Sequence, residues 1–249
     1  MFDDYFEVFL ADTKEGREVH YNIRYQVYCE ELGYEDTSKF PDQLEFDKWD
    51  PQDDEDQRSV LFLVRLKHTK QWIAAIRIAH HNGEMIPLQE VTSVDHEIGN
   101  SAVEISRLCI VKEIRVPYTQ TSYGIDENDL SNNQLAIKDD SDEKIQMFYS
   151  NPKIKSTIIW GLFNATMQYI ADNKIKKAYL LTNRALVRVL GRQGVVVDKV
   201  GDTFEHRGKR SPYRFDVQEI LTKPIWSTFK KSYSMYSELS GSSAAKRWG

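Results

Sequence analysis

AVEISRLCIV, residues 102–111, is a run of aliphatic and β-branched residues that reads as a central β-strand, yet it carries two full charges, Glu104 and Arg107. In a flat strand side chains alternate between faces. Glu104 then shares a face with Ser106, while Arg107 belongs to the other face unless a bulge re-aims it. Either arrangement suits a cleft: bulged strands gather beside active sites, and a carboxylate held in an apolar wall has its pKa raised towards a useful base.

Working outward, Val60 to Leu66 and Trp72 to Ala79 are apolar strands joined by Lys67–Gln71, a hairpin pattern. Arg77 interrupts the second strand on a face it shares with Ala75 and Ala79, which leaves room for a guanidinium to reach across a cleft. Before them, Phe6–Leu10 is a short strand, followed by a helical pattern from about Lys14 to Leu32 that Gly33 stops. Val19, Ile23 and Val27 fall at helical spacing, and Arg24 and Tyr28 lie one turn apart in an adjoining aromatic stripe. Tyr34 to Arg58 is polar and acidic. Within it Phe46 and Trp49 can anchor Glu45–Pro51 on a core and leave Glu45, Asp47 and Asp50 on offer, whereas Asp53–Asp56 reads as a solvated loop.

Beyond the charged strand, Thr119 to Asn151 is the most polar part of the chain and reads as a flexible insertion, a candidate lid. Helical periodicity returns over Ile154–Ile170, a strand follows at Lys177–Leu181, and a second helix, Arg184–Leu190, ends at Gly191. Basic residues gather here: Lys153, Lys155, Lys174, Lys176, Lys177, Arg184, Arg188 and Arg192. Strands are expected at Gly194–Val200 and Tyr213–Val217, on either side of a basic turn from His206 to Pro212. Pro224 starts a helix whose Trp226, Phe229, Tyr233 and Tyr236 form an aromatic stripe typical of a core; residues 241–249 are expected to be loose.

At 249 residues with 41% hydrophobic content, the chain supports a substantial core and is not disordered. A net charge of −5 argues against a nucleic-acid binder working through a broad basic face. Cys29 and Cys109 show no pairing signature, the six histidines show no metal-ligand spacing, and no apolar run approaches a membrane span of about 20 residues. With an acidic N-terminus where a signal peptide is basic, this points to a cytoplasmic protein with no metal and no disulfide.

The ordered set Arg24, Tyr28, Tyr34, Glu45–Asp50, Arg77 and Glu104-Ile105-Ser106-Arg107 resembles the autoinducer synthase branch of the N-acetyltransferase-like (GNAT) superfamily. That branch includes acyl-homoserine lactone synthases, N-acyl amino acid synthases and the acyltransferases of PEP-CTERM/exosortase systems. A weaker likeness to the last two recurs at Leu190–Tyr213, in Gly201 to His206, Gly208, Arg210, Pro212 and Tyr213. The resemblance implies an α/β (α+β) fold: a single GNAT-like domain over residues 1–240, with a mixed, mainly antiparallel central sheet flanked by helices and the insertion at about 119–151.

It also implies roles. Glu104 acts as base, through a water, with Arg107 orienting Glu104 or Asp47. Arg24 and Arg77 are candidates for an acceptor's carboxylate, Asp47 or Asp50 for its ammonium; Ser106 stands on the face of Glu104, and Tyr28 and Tyr34 wall the pocket. The reaction expected is transfer of a long-chain acyl group from acyl carrier protein, docked on the basic residues Lys153 to Arg192, to an amino acid or related amine. Its acyl-phosphopantetheine is the donor, with no tightly bound cofactor; coenzyme A is disfavoured because the chain lacks an Arg/Gln-x-x-Gly-x-Gly/Ala loop. Homoserine lactone synthases usually have Phe and Trp where this chain has Tyr28 and Tyr34, so an amino acid acceptor is favoured over S-adenosylmethionine. Two alternatives stand beside this: a homoserine lactone synthase, and a non-catalytic module that binds acyl chains or their carrier. Three arginines and three carboxylates also cancel, and a neutral ion network can hold a loop on a helix without any chemistry.

Overall fold

Nearly every residue of the two strands that precede the charged strand is buried, so helices must cover both faces of the sheet. The computed structural model describes residues 2–50, 58–81, 85–115 and 153–239, and among these the strands run β1 Phe6–Leu10, β2 Ser59–Leu66, β3 Trp72–His80, β4 Ala102–Ile110, β5 Lys177–Thr182, β6 Asp198–Lys199, β7 Phe204–Glu205, β8 Lys209–Asp216 and β9 Ser234–Met235. The insertion at 119–151, the acidic group Asp53–Asp56, the turn residues Asn82 and Gly83 and the tail 241–249 lie outside the described residues. The helices are α1 Phe2–Tyr5, α2 Lys14–Tyr25, α3 Leu88–Val91, α4 Lys112–Arg115, α5 Lys153–Asp172, α6 Arg184–Gly191 and α7 Val217–Leu221.

In the sheet the order is β6-β8-β5-β4-β3-β2-β1-β9, with β7 also pairing β8. β1 to β4 form an antiparallel meander, β4 and β5 run parallel, and β5 pairs antiparallel with β8. The mixed, mainly antiparallel sheet flanked by helices is the architecture that the resemblance implies. Leu61 and Arg77 are register partners and face α2, through Arg77's contact with Asp50 and Asp50's with Arg24. Phe62, on the opposite face, meets Tyr169 of α5 edge-on with ring centroids 6.1 Å apart.

Two irregularities of the sheet shape the cavity beside it. Ala75 of β3 pairs with Cys109 of β4 and Arg77 with Ser106, so three residue steps on β4 answer two on β3. The extra residue is a bulge, and Arg107 within it adopts a left-handed φ of 53°. The second is the parallel β4–β5 ladder, which spans only Ala102–Glu104 against Lys177–Tyr179 before the strands part.

Differences from the sequence expectation fall mainly at the C-terminal end. β8 begins at Lys209 rather than after Pro212, because Pro212 sits where β8's outer ladder passes from β7 to β6 and has no outer register partner. The strand expected over Gly194–Val200 shortens to β6, and the helix expected from Pro224 is one 3-10 turn, Pro224–Thr228. Trp226, Phe229, Tyr233 and Tyr236 pack against the core as expected. Cys29 and Cys109 are both free and buried.

α5 lies against the sheet with Gly161 beneath the ring of Phe2, where an added Cβ would overlap ring carbons. Gly161→Ala is therefore expected to destabilise the protein by about 1–3 kcal/mol through overpacking. At an open helix site the same change would stabilise by about 1 kcal/mol. Urea denaturation gives the sign.

Candidate active site

Thr13 caps α2 by accepting a hydrogen bond from Gly16 N at 3.1 Å. Its buried polar stripe then points at the sheet. Arg17 donates to the carbonyl of Ser59 at 3.2 Å, His20 bonds the carbonyl of Ile76 at 3.2 Å, and Arg24 ends the stripe with no exposed surface. Burial, helped by Arg24, pushes His20 down to about 3, so it sits neutral between two cations. The helix expected to continue to Leu32 instead widens after Tyr25 into a π-helix, Gln26–Glu31, with Leu32 N bonding Val27 O at 3.1 Å. Such widened turns recur at functional sites because they rotate the residues beyond them. Tyr28 now donates its hydroxyl to Leu108 O at 3.1 Å, and Tyr34 stacks on its ring with centroids 6.4 Å apart.

The acidic loop is anchored as the sequence suggests: Trp49 is buried, Glu45 N bonds Tyr21 O at 3.2 Å, and Tyr21 donates to Asp50 O at 3.0 Å. Its three carboxylates meet three arginines. Arg24 bonds Glu45 through Nε and Asp50 through Nη1 at 2.5 Å. Arg77 reaches Asp47 at 2.8 and 2.9 Å, Asp50 at 2.9 Å and Ser106 Oγ at 3.2 Å. Arg107, re-aimed by the bulge, reaches Asp47 at 2.7 Å and Glu45 at 3.3 Å and lies over the Tyr28 ring. Burial alone raises the Asp47 and Asp50 carboxyls, but Arg77 first, joined by Arg24 and, at Asp47, by Arg107, outweighs it and holds both below the usual carboxylate range.

Beside this network opens a cavity of about 920 Å³. Tyr28, Tyr34, Asp47, Arg77, Glu104, Ser106 and Arg107 all line it, so the structure brings seven of the nine residues singled out from sequence to one place. Arg24 and Asp50 are not on its wall. Both are fully buried behind Arg77 and paired with opposite charges, because the loop folds down on α2. Glu45 completes the network; it belongs to the quoted acidic loop but was not among the nine.

Glu104 stands at the point where β4 and β5 part. It is buried, its Oε2 accepts from Leu88 N at 2.5 Å, and burial pushes its carboxyl up to about 7 against the opposing pull of Arg77 and Leu88 N–H. Past it, Ile105–Leu108 and Leu180–Thr182 face the cavity from the two separated strands. Ile159 and Phe163 of α5 with Leu186 and Val189 of α6 make an apolar wall further in. Cys109 also lines the cavity, but burial raises its thiol to about 12, so it is no thiolate.

The basic cluster divides. Lys153 and Lys155 start α5, and Arg184, Arg188 and Arg192 lie exposed on and just after α6, whose other side faces the cavity. Lys174, Lys176 and Lys177 lie at the opposite end of α5, and Lys177 is paired with Asp216 at 2.7 Å. A 20-residue helix, about 30 Å long, stands between the two groups, so they do not make one patch. Cavity-lining cations absent from the nine residues singled out from sequence are Lys48, Arg115, Lys155, Arg207 and Arg210, with His206 beside the last two. The sequence signals for His206, Arg207 and Arg210 were their concentration in one basic turn and, for His206 and Arg210, the weaker family likeness over Leu190–Tyr213. Among the described residues no group of His, Cys, Asp or Glu could hold a metal, and no helix is long and apolar enough to cross a membrane.

Residues 23–124 match the family model described as acetyltransferase (GNAT) domain, which is the superfamily the motif order resembles. The chain thus carries a GNAT-type acyltransferase domain on a GNAT-like fold. Solved structures share that fold across the chain at low identity. The CoA-dependent acyl-homoserine lactone synthase BjaI, with SAM and isopentyl-CoA, is 14% identical with a TM-score of 0.57, covering 93% of this chain and 92% of that one. The AHL synthase LasI is 15% identical with a TM-score of 0.54, covering 87% and 94%. TofI, in a ternary complex with an inhibitor and MTA, is 16% identical with a TM-score of 0.54, covering 85% and 91%. No curated protein sequence matches the chain.

Removing Arg24 leaves Glu45 and Asp50 charged, buried and short of their partner. Arg24→Met is expected to cost about 3–5 kcal/mol of stability in chemical denaturation. A loss below about 1 kcal/mol would mean that Arg77 and Arg107 hold the loop without it.

Proposed function

We propose that this protein is an N-acyltransferase that moves a long-chain fatty acyl group from the phosphopantetheine of acyl carrier protein to the amine of an amino acid or related small amine. The observation that carries the reading is Glu104, a buried carboxyl raised to about 7 where two parallel strands part into a cavity. Separated strand edges suit an extended, amide-bearing pantetheine arm, which can add its own hydrogen bonds between them. The apolar wall of Ile159, Phe163, Leu186 and Val189 suits the acyl chain.

In this reaction the acceptor's ammonium, whose pKa is about 8–10 by analogy with α-amino and lysine groups, first loses a proton to Glu104 through a water. Its nitrogen attacks the thioester carbonyl carbon, and backbone N–H groups at the irregular strand stabilise the oxyanion. The C–S bond breaks, the amide forms, and the second amine proton goes to the departing thiolate. No covalent enzyme intermediate is required. Arg77 and Arg107 hold Asp47 at the reacting end, where it is available to the acceptor's ammonium. Arg24 and Asp50 serve as the rigid support behind it.

The donor is assigned to acyl carrier protein on the strength of Arg184, Arg188 and Arg192, exposed beside the cavity wall, since an acidic carrier is steered by such a surface. Incubation with matched long-chain acyl-carrier and acyl-CoA donors, with S-adenosylmethionine included among the acceptors, tests this by mass spectrometry. We expect N-acyl amino acids and a higher kcat/KM with the carrier. Preferential turnover of the CoA ester would overturn the donor assignment. Acyl-homoserine lactone from S-adenosylmethionine would replace the acceptor class, and carrier binding without any product would favour a binding module.

Glu104 also sets a pH dependence. Its folded pKa lies above the ordinary carboxylate value, so its ionisation erodes stability as pH rises from about 4.5 to about 7, while the base needed for catalysis appears over the upper part of the same window. We expect kcat/KM to rise to a plateau above about pH 7. Glu104→Gln should lower turnover at least about 100-fold and leave stability at pH 8 unchanged or higher. Near-normal turnover of the variant would remove Glu104 as base.

A further inference from the structure

At the reacting end of the cavity every guanidinium is already matched by carboxylates: Arg77 by Asp47 and Asp50, Arg107 by Asp47 and Glu45. At the rim, Arg115 is paired with Glu31 and Arg207 with Glu35. Arg210 differs. It lines the same cavity and is half-buried, and among the described residues no carboxylate is paired with it.

Its hydrogen bonds go instead to backbone carbonyls of its own turn, Nε to His206 O at 2.8 Å and Nη2 to Arg207 O at 3.4 Å. Two of its five N–H groups are used, so the guanidinium is held in place with an edge to spare. The turn is closed by its own backbone: Arg207 and Gly208 take left-handed φ values of 52° and 93°, and His206 N donates to Gly208 O at 3.0 Å. Arg207's pair with Glu35 ties this turn to the segment that carries Tyr34. His206 is pushed down by burial first, then by Arg210 and Arg107, so the turn lies within electrostatic reach of the reacting end. Arg107 and Arg207 already have carboxylate partners, so Arg210 is the guanidinium of this group that an incoming anion would match.

Resting on the N-acyl transfer reading, we propose that Arg210 receives the carboxylate of the acceptor, which makes the substrate an amino acid rather than a simple amine. An α-carboxylate lies two bonds from the attacking nitrogen, so it must be bound beside the reacting end. The donor's phosphodiester, in contrast, lies at the end of the pantetheine arm remote from the thioester. Planar, bidentate recognition of a carboxylate is what an anchored guanidinium edge provides.

The test compares wild type, Arg210→Gln and Arg210→Lys in N-acylation of an amino acid, its methyl ester and its decarboxylated amine. Arg210→Gln should raise KM for the amino acid about tenfold or more, with kcat changed less, and leave the ester, the amine and the KM of the acyl donor near wild type. Arg210→Lys should recover part of the loss. Equal losses for acid, ester and amine, or a raised donor KM, would overturn the assignment, the second result pointing to the donor's phosphodiester.

A binding arm needs no turnover. Calorimetry should find an N-dodecanoyl amino acid bound at least about tenfold more tightly than its methyl ester by wild type, and equally by Arg210→Gln. Absence of that preference in wild type, or its survival in the variant, rejects the carboxylate site. Absence of any N-acyl product in wild type rejects the acyl-transfer reading instead.

Discussion

Three arginines and three carboxylates, gathered where water does not reach most of them, hold the working end of this protein together. Arg24 comes from a helix, Arg77 from an interior strand, Arg107 from a bulge in the next strand, and Glu45, Asp47 and Asp50 from one loop. Desolvating six charges is expensive, and the mutual attraction repays it only because each carboxylate meets two guanidiniums within 3.3 Å. An apolar core of equal volume would be as stable. What the ionic version adds is geometry, since the fork of each guanidinium fixes where Asp47 sits and how the loop lies on α2.

The network also fixes the chemistry beside it. Its charges cancel among themselves, so Glu104, a few residues along β4, is left with the desolvation of its own strand as its dominant influence, and its carboxyl rises to about 7 while Asp47 and Asp50 fall. Carboxylates at and behind one cavity wall are thus pushed apart: a titrating base where the strands part, and permanent anions on the loop. Arg107 links the two. Its left-handed backbone costs on the order of 1 kcal/mol, and in return it turns a side chain that a flat strand would send to the other face towards Asp47.

Much of this was legible. The strands β1 to β5 and the helices α5 and α6 follow from apolar periodicity, which long buried elements express strongly, the mixed sheet followed from the family resemblance, and the two charges inside an aliphatic strand announced a cleft. The motif order pointed to a GNAT-type acyltransferase domain, and residues 23–124 match that family. The short C-terminal strands were missed or shortened because two-residue ladders carry no periodicity, and Pro212 argued for a boundary that the ladder's own interruption makes unnecessary. The basic residues read as one patch are divided by the length of α5, a separation that sequence proximity hides.

By itself the sequence determined which side chains were chemically out of place, and therefore where a site had to be: an acid and a base in a core strand, an arginine in another, and an acidic loop pinned by aromatics. Only the tertiary structure decided which of them face a ligand. Arg24 and Asp50 look no different from Arg77 and Asp47 in a string of letters, yet a π-turn, a bulge and the parting of two strands put one pair behind the wall and the other on it. Those features arise from long-range hydrogen bonding and packing, which act between residues far apart in the chain and so leave little local trace.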